Sequence, residues 1–127
     1  MALVEKYVKR FILILLQNNP MKEISLRPYP GRLFFVTSKN AYKKAHQRLF
    51  KESDQISLGI DGRFAGVSND TGQWTYLVYA SKFSTMAHEL SHVILHIFEV
   101  CDIDPREGNG EPFCYMMSQL TSEAKWK

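Results

Sequence analysis

Cysteine is scarce in this chain: Cys101 and Cys114 are the two among 127 residues, and they form no C-x-x-C pair. That excludes a disulfide-built scaffold and a C-x-x-C zinc or redox site. One disulfide between them is possible in principle, yet two thiols suit a reducing compartment equally well. Long hydrophobic runs are missing too. The run Phe11-Ile12-Leu13-Ile14-Leu15-Leu16 follows Lys9-Arg10 but gives way at once to Gln17-Asn18-Asn19-Pro20, with no small-residue cleavage site. A bilayer needs about 20 apolar residues, so this run is too short to span one and makes a poor signal peptide. The expectation is a buried helix, no membrane partner and a cytoplasmic location. Repeats and low-complexity linkers are absent as well, which predicts a single domain over residues 1–127, too small for a separate substrate domain. Charge of either sign is not in large excess: 16 basic against 13 acidic residues give a formal +3. Such a balance permits weak attraction to nucleic acid or acidic surfaces without implying it.

What is present is the composition of an ordinary globular protein, 45% hydrophobic and 23% charged. Spacings of three and four among Leu3, Val4, Tyr7, Val8, Phe11, Ile14 and Leu15 predict a helix from about Leu3 to Gln17. Pro28-Tyr29-Pro30-Gly31 marks a turn before a strand over Arg32–Thr37, and Ser38 is placed to cap a helix running to about Glu52. Lys39, Lys43, Lys44, Arg48 and Lys51 give that helix a basic character. A solvated face opposite Ala41, Tyr42, Ala45 and Leu49 accounts for it, with His46 on the surface, so nucleic acid is not expected as a partner. Gln55–Ile60, Phe64–Ser68 and Trp74–Ala80 are predicted strands separated by Asp61-Gly62 and Asn69-Asp70-Thr71-Gly72, an antiparallel meander. A helix opening at Ser84 or Thr85 and a last one beginning at Glu111-Pro112 follow, with a breaker-rich loop over Asp102–Gly110 between them.

The penultimate helix carries the chemistry. His88-Glu89-Leu90-Ser91-His92 is an H-E-x-x-H pattern. Residues i and i+4 share a helix face, so both imidazoles can reach one tetrahedral Zn²⁺. Glu89, about 100° round the helix from His88, stands beside such a metal without ligating it and is placed to act as general base on the attacking water. The histidines are embedded in an apolar helix that continues through Val93, Ile94, Leu95, Ile97 and Phe98, where a polar ring without a partner is costly. Core histidines are the bland alternative. A metal would satisfy them.

A catalytic zinc generally takes three protein ligands. The elongated pattern H-E-x-x-H-x-x-G-x-x-H is excluded, because positions 95 and 98 are Leu95 and Phe98. His96 lies about 12 Å along the helix from His88 and cannot share a metal with both others. Glu111 is favoured as third ligand, since a carboxylate in the first turn of a returning helix is rigidly aimed and suits the helix dipole. Glu107, Cys101, Cys114 and Asp102 remain alternatives, as does capping by Glu111 with no ligand role. Tyr76, Tyr79, Tyr115 and His96 are all candidates for the donor that steadies an oxyanion.

His88-Glu89-Leu90-Ser91-His92-Val93-Ile94-Leu95-His96, followed after a short loop by Glu111 opening an apolar helix with Tyr115, resembles the small gluzincins: the ImmA/IrrE-type metallopeptidase domains and, more closely, short zincin-like proteins encoded in phage genomes. The resemblance is specific over the last forty or so residues; Ser91 stands where Gly or Ala is usual. It implies zinc held by His88, His92 and Glu111, with Glu89 as base, in a zinc peptidase acting on a peptide or protein substrate. The fold it implies is a minimal zincin-like α+β domain, a small antiparallel or mixed sheet packed against the H-E-x-x-H helix and a C-terminal helix, with an N-terminal helix. Were the chain phage-encoded, its location would be the host cytoplasm. The DNA-binding or sensor modules common in ImmA/IrrE proteins are not found in this sequence, so no regulatory role carries over. A different reading keeps the zinc but not the catalysis, as a silent accessory or binding protein of zincin fold. In many zinc peptidases the strand before the active helix pairs with substrate backbone; Tyr76-Leu77-Val78-Tyr79 fits that role or that of an ordinary core strand.

Overall fold

A computed structural model describes residues 4–6, 21–54, 56 and 59–124 of the chain. In chain order its elements are strands β1 (Lys22–Ile24) and β2 (Arg32–Val36), helix α1 (Lys39–Phe50), strands β3 (Gly62–Ser68) and β4 (Trp74–Ala80), and helices α2 (Phe83–Val100) and α3 (Glu111–Ala124). The fold is α+β with a four-stranded mixed sheet ordered β1-β2-β4-β3. Residues 4–6 are helical; the rest of the helix expected over Leu3–Gln17 lies outside the described residues.

Side-chain alternation decides how the sheet is covered. Leu33 and Phe35 of β2 and Tyr76, Val78 and Ala80 of β4 point to one face, where they pack on Met86, Leu90, Val93, Ile94, Ile97 and Phe98 of α2 and on Met116, Leu120 and Ala124 of α3. Phe34, Val36, Leu77 and Tyr79 point to the other, against Ala41, Tyr42 and Ala45 of α1. A strand buried on both faces reads as a near-continuous apolar run, and that is the Tyr-Leu-Val-Tyr-Ala of β4. The same property corrects the expected meander. β2 lies parallel to β4, with Phe34 beside Leu77, so β4 is interior and the edge beside α2 is β3. Tyr76–Tyr79 is therefore core strand, and an incoming backbone would find its partner on β3. Of the strand expected over Gln55–Ile60, the described residues Ile56, Gly59 and Ile60 lie outside any strand, and the remainder lies outside the described residues.

Local signals hold where they are short-range. Ser38 Oγ accepts from the Ala41 amide at 3.1 Å and starts α1, which ends at Lys51 in the left-handed region, φ 60°. In the β3–β4 turn Asn69 Oδ1 accepts from Thr71 N at 3.0 Å and Gln73 N at 2.9 Å. His46 departs from expectation. It is buried, four residues beyond Tyr42 on the packed face of α1, with Nδ1 2.7 Å from the Glu52 carbonyl oxygen and its ring 4.8 Å from that of Phe50. Lys43, Lys44 and Arg48 are exposed. No described helix is long and apolar enough to cross a membrane.

A polar knot joins α1 to β3. Tyr42 Oη donates to Asp54 Oδ2 at 2.6 Å, and Arg63 donates from Nε to Oδ2 at 2.7 Å and from Nη2 to Oδ1 at 2.9 Å. Burial alone would push the Asp54 carboxyl up, but the hydrogen bonds from Tyr42 and Arg63 and the guanidinium charge outweigh it, and the group is held below its ordinary value. With the folded-state value below the unfolded one, the carboxylate's stabilisation is complete above about pH 4 and is lost as the pH falls through the folded-state value. Asp54→Asn is accordingly expected to cost on the order of 2 kcal/mol at pH 7 and to flatten the acid limb of stability. Urea melts of both proteins at pH 7 and pH 3 check this; parallel pH dependences would contradict it.

Candidate functional site

Helix α2 forms because apolar residues recur at Met86, Leu90, Val93, Ile94, Ile97 and Phe98, each buried, and it leaves His88 and His92 exposed on its outer side, where water can satisfy either ring, so the cost of an unpartnered buried imidazole expected from the apolar sequence does not arise. One turn apart, the two rings meet edge to face, with centroids 4.8 Å apart and Nε2 atoms 3.2 Å apart. At that distance one nitrogen can donate to the other, or both can turn lone pairs toward a shared cation. Two nitrogens each about 2.05 Å from a tetrahedral Zn²⁺ stand roughly 3.3 Å apart. The donor pair therefore fits such an ion. Phe64 of β3 stacks on His92 with centroids 6.0 Å apart and planes 24° from parallel, which restricts that ring.

Glu89 turns inward from the histidines toward β3 and is 9% exposed. The strand approaches closely because it begins with glycine. A Cβ at Gly62 would overlap Thr85 Cγ2 and stand 3.1 Å from Glu89 Cγ and 3.2 Å from its Oε1. Glu89 and His92 thus share an open cleft of about 400 Å³ with Ile60, Gly62, Arg63 and Phe64. Burial pushes the Glu89 carboxyl above its ordinary value, against the opposing charges of His88, His92 and Arg63. A carboxylate raised in this way is a better proton acceptor near neutrality than a solvated one.

The other sequence candidates lie elsewhere. His96, one turn beyond His92, has Nδ1 2.8 Å from Tyr76 Oη and packs edge-on against Trp74 at 4.3 Å. Tyr76 is 1% exposed; its hydroxyl is pushed up to about 12, first by burial and then by the Cys101 charge. Tyr79 is on the opposite sheet face beside Tyr42, and Tyr115 is exposed on α3. None of these four lines the Glu89 cleft.

Glu111 is the first residue of α3 and is exposed. Helix α3 returns antiparallel to α2, with Met117 Sδ 3.7 Å from Ser91 Oγ and Phe113 against Phe98. The residue level with His92 is thus close to Met117, and the head of α3 begins roughly 9 Å further along the pair. Among the described residues no group of three or more His, Cys, Asp or Glu is assembled that could hold a metal ion. His88, Glu89 and His92 are brought together, and Glu111 is not brought to them. Glu107 precedes it in the 3₁₀ turn Glu107–Gly110, also exposed. Cys101 and Cys114 are free thiols.

Three residues of the cleft, Gly62, Arg63 and Phe64, were not singled out in the sequence. Gly62 read as part of a turn, and Phe64 as an ordinary strand residue. Arg63, a charged residue at the head of a strand, was a signal; its partner Asp54 comes from a different segment and gave no pattern with it. No protein-family model matches the chain, and no curated protein or solved structure matches it either.

Proposed function

We propose that the chain is a zinc-dependent peptidase of gluzincin type. The observation carrying this reading is the pair of exposed imidazoles, Nε2 atoms 3.2 Å apart, beside a desolvated carboxylate on the adjoining helix face. His88 and His92 would hold the ion. Glu111 is the proposed third ligand; to reach the ion it would have to move along α2, because the head of α3 stands roughly 9 Å beyond the level of His92. Bound Zn²⁺ supplies Lewis acidity, which lowers the pKa of water and polarises a scissile carbonyl. Glu89 takes a proton from the attacking water and returns it to the leaving amine. Phe64 keeps the His92 ring from rotating away from the cleft, and the outer edge of β3 offers backbone N–H and C=O groups to an extended peptide. A binding-only protein has no use for a base in this position, which favours hydrolysis over a catalytically silent module.

The test is cleavage of a diverse peptide library by the purified protein, with zinc measured on the same sample. About one zinc per chain is expected, with cleavage that stops on chelation and returns on adding Zn²⁺. A zinc-loaded protein that cleaves nothing in the library or in a cell extract would instead mark a zinc-binding module.

A further inference from the structure

We infer that His96 is a substrate-binding residue whose Nε2–H donates to a backbone carbonyl of the peptide lying along β3, about two residues from the scissile bond; this rests on the peptidase reading. Helix α2 and strand β3 run side by side in matched steps. Glu89 meets Gly62, His92 stacks on Phe64, and His96 bonds to Tyr76, whose neighbour on β3 is Gly66. Gly62, Phe64 and Gly66 share the α2 face of the strand. Glu89 and His96, seven residues and two turns apart, share the β3 flank of the helix. From His92 to His96 is about 6 Å along α2, which an extended chain covers in about two residues. A peptide paired with β3 beside the ion therefore passes His96 next, just beyond the His92 end of the cleft. At that level β3 presents Gly66, and the space over it is taken by the Tyr76 ring, 3.2 Å from where a Cβ would stand. That ring carries His96 on its hydroxyl.

The Tyr76 hydroxyl decides which nitrogen of His96 carries the proton. Tyr76 is 1% exposed, so its hydroxyl proton needs an acceptor inside the protein. His96 Nδ1, 2.8 Å from Oη, is that acceptor. An imidazole nitrogen that accepts bears no proton, and in the neutral ring the proton is then on Nε2. Among the described residues no buried side-chain nitrogen or oxygen lacks a partner, and His96 Nε2 has no protein partner there. It therefore reaches solvent, on the far side of the ring from the buried strand β4. The ring is held in this pose by Trp74, edge-on at 4.3 Å, and by Phe64 at 6.5 Å. Both the donor and its direction are set before a ligand arrives, so little entropy is lost on binding. An N–H selects an acceptor, and the acceptor that every residue of an extended peptide supplies is its backbone carbonyl. His96 thus holds the chain without reading its side chains.

Two arms separate this donor from the peptidase reading. In the first, nitrogen-15 NMR reads the imidazole tautomers of the full chain at about pH 8, where an ordinary histidine is neutral. His96 is expected to carry its proton on Nε2, and Tyr76→Phe to give a mixture of the two tautomers. A proton on Nδ1 in the wild type would overturn the proposal. In the second arm, one cleaved peptide is compared with analogues in which one backbone C=O at a time, the scissile one excepted, is replaced by CH₂. His96→Phe should raise KM for the parent peptide about fivefold with a smaller change in kcat. One analogue, altered about two residues from the scissile bond, should lose that dependence on His96. Because His96→Phe leaves the Tyr76 hydroxyl without its acceptor, the double variant Tyr76→Phe/His96→Phe, which removes both polar partners, is measured beside it and should show the same KM. His96→Gln, which offers an N–H near the place of Nε2, should recover part of the loss. If every analogue stays fully sensitive to His96, or KM is unchanged in both phenylalanine variants, the donor assignment fails and the peptidase stands. A peptide that is never cleaved, yet whose binding by fluorescence anisotropy weakens about fivefold in His96→Phe, removes the peptidase and keeps the donor.

Discussion

Alanine at both His88 and His92 is expected to abolish zinc retention. The two Nε2 atoms converge to 3.2 Å, and no other His, Cys, Asp or Glu among the described residues completes a set of three around them. The pair therefore carries most of the affinity. Losing one imidazole leaves a single nitrogen, and losing both leaves carboxylates alone. The fall should exceed the 10–100-fold typical of changes to groups that merely orient a ligand. Both rings are exposed, so the substitutions remove little packing and the fold should survive. The same chelator competition titration applied to Glu111→Gln and Glu107→Gln ranks the third ligand: a strong loss is expected for the first and little change for the second. Stoichiometric zinc in the double alanine variant would defeat the proposal, and a larger loss at Glu107 than at Glu111 would move the third ligand.

What the sequence made legible is what neighbouring residues decide together. The Ser38 cap, the basic outer face of α1, the Asn69 turn and the apolar stripe of α2 each need only a few residues in succession, and each stands as read. The i, i+4 placement of His88 and His92 is of the same kind, since helix geometry alone brings the rings together. Contacts set by distant segments were not legible. β2 inserts parallel beside β4 because β4 is apolar on both faces, and its spacing to β3 says nothing about a third strand. His46 looked solvated amid lysines, yet its fourth-residue relation to Tyr42 buries it. Arg63 meets Asp54 across a turn, and Gly62 admits Glu89 to the strand by lacking a side chain. Glu111 illustrates the same limit from the other side. Its position at the head of a returning helix was readable, but how far along α2 that head sits depends on the packing of Met117 on Ser91 and Phe113 on Phe98.

Glu89→Gln is expected to cost on the order of 10²–10⁴-fold in turnover while leaving zinc content and fold intact. The amide has nearly the shape of the carboxylate, so the contact with Gly62 and the wall of the cleft persist. A neutral group is also cheaper to keep from water than an ionised one, and Glu89 is 9% exposed, so thermal stability should hold or rise slightly. Metal content should hold as well, because Glu89 lies about 100° round the helix from His88, off the side where the imidazoles converge. What disappears is the capacity to accept a proton from water and hand it to the departing amine, and nothing else in the cleft replaces it: His92 is assigned to the ion, and Arg63 is a cation paired with Asp54. The measurement is kcat on a cleaved library peptide for wild type and variant, with zinc stoichiometry and melting temperature taken on the same preparations. Equal turnover in two equally zinc-loaded proteins would show that the base lies elsewhere, whereas a variant that loses its zinc or its fold would show that Glu89 holds the site together instead of acting within it.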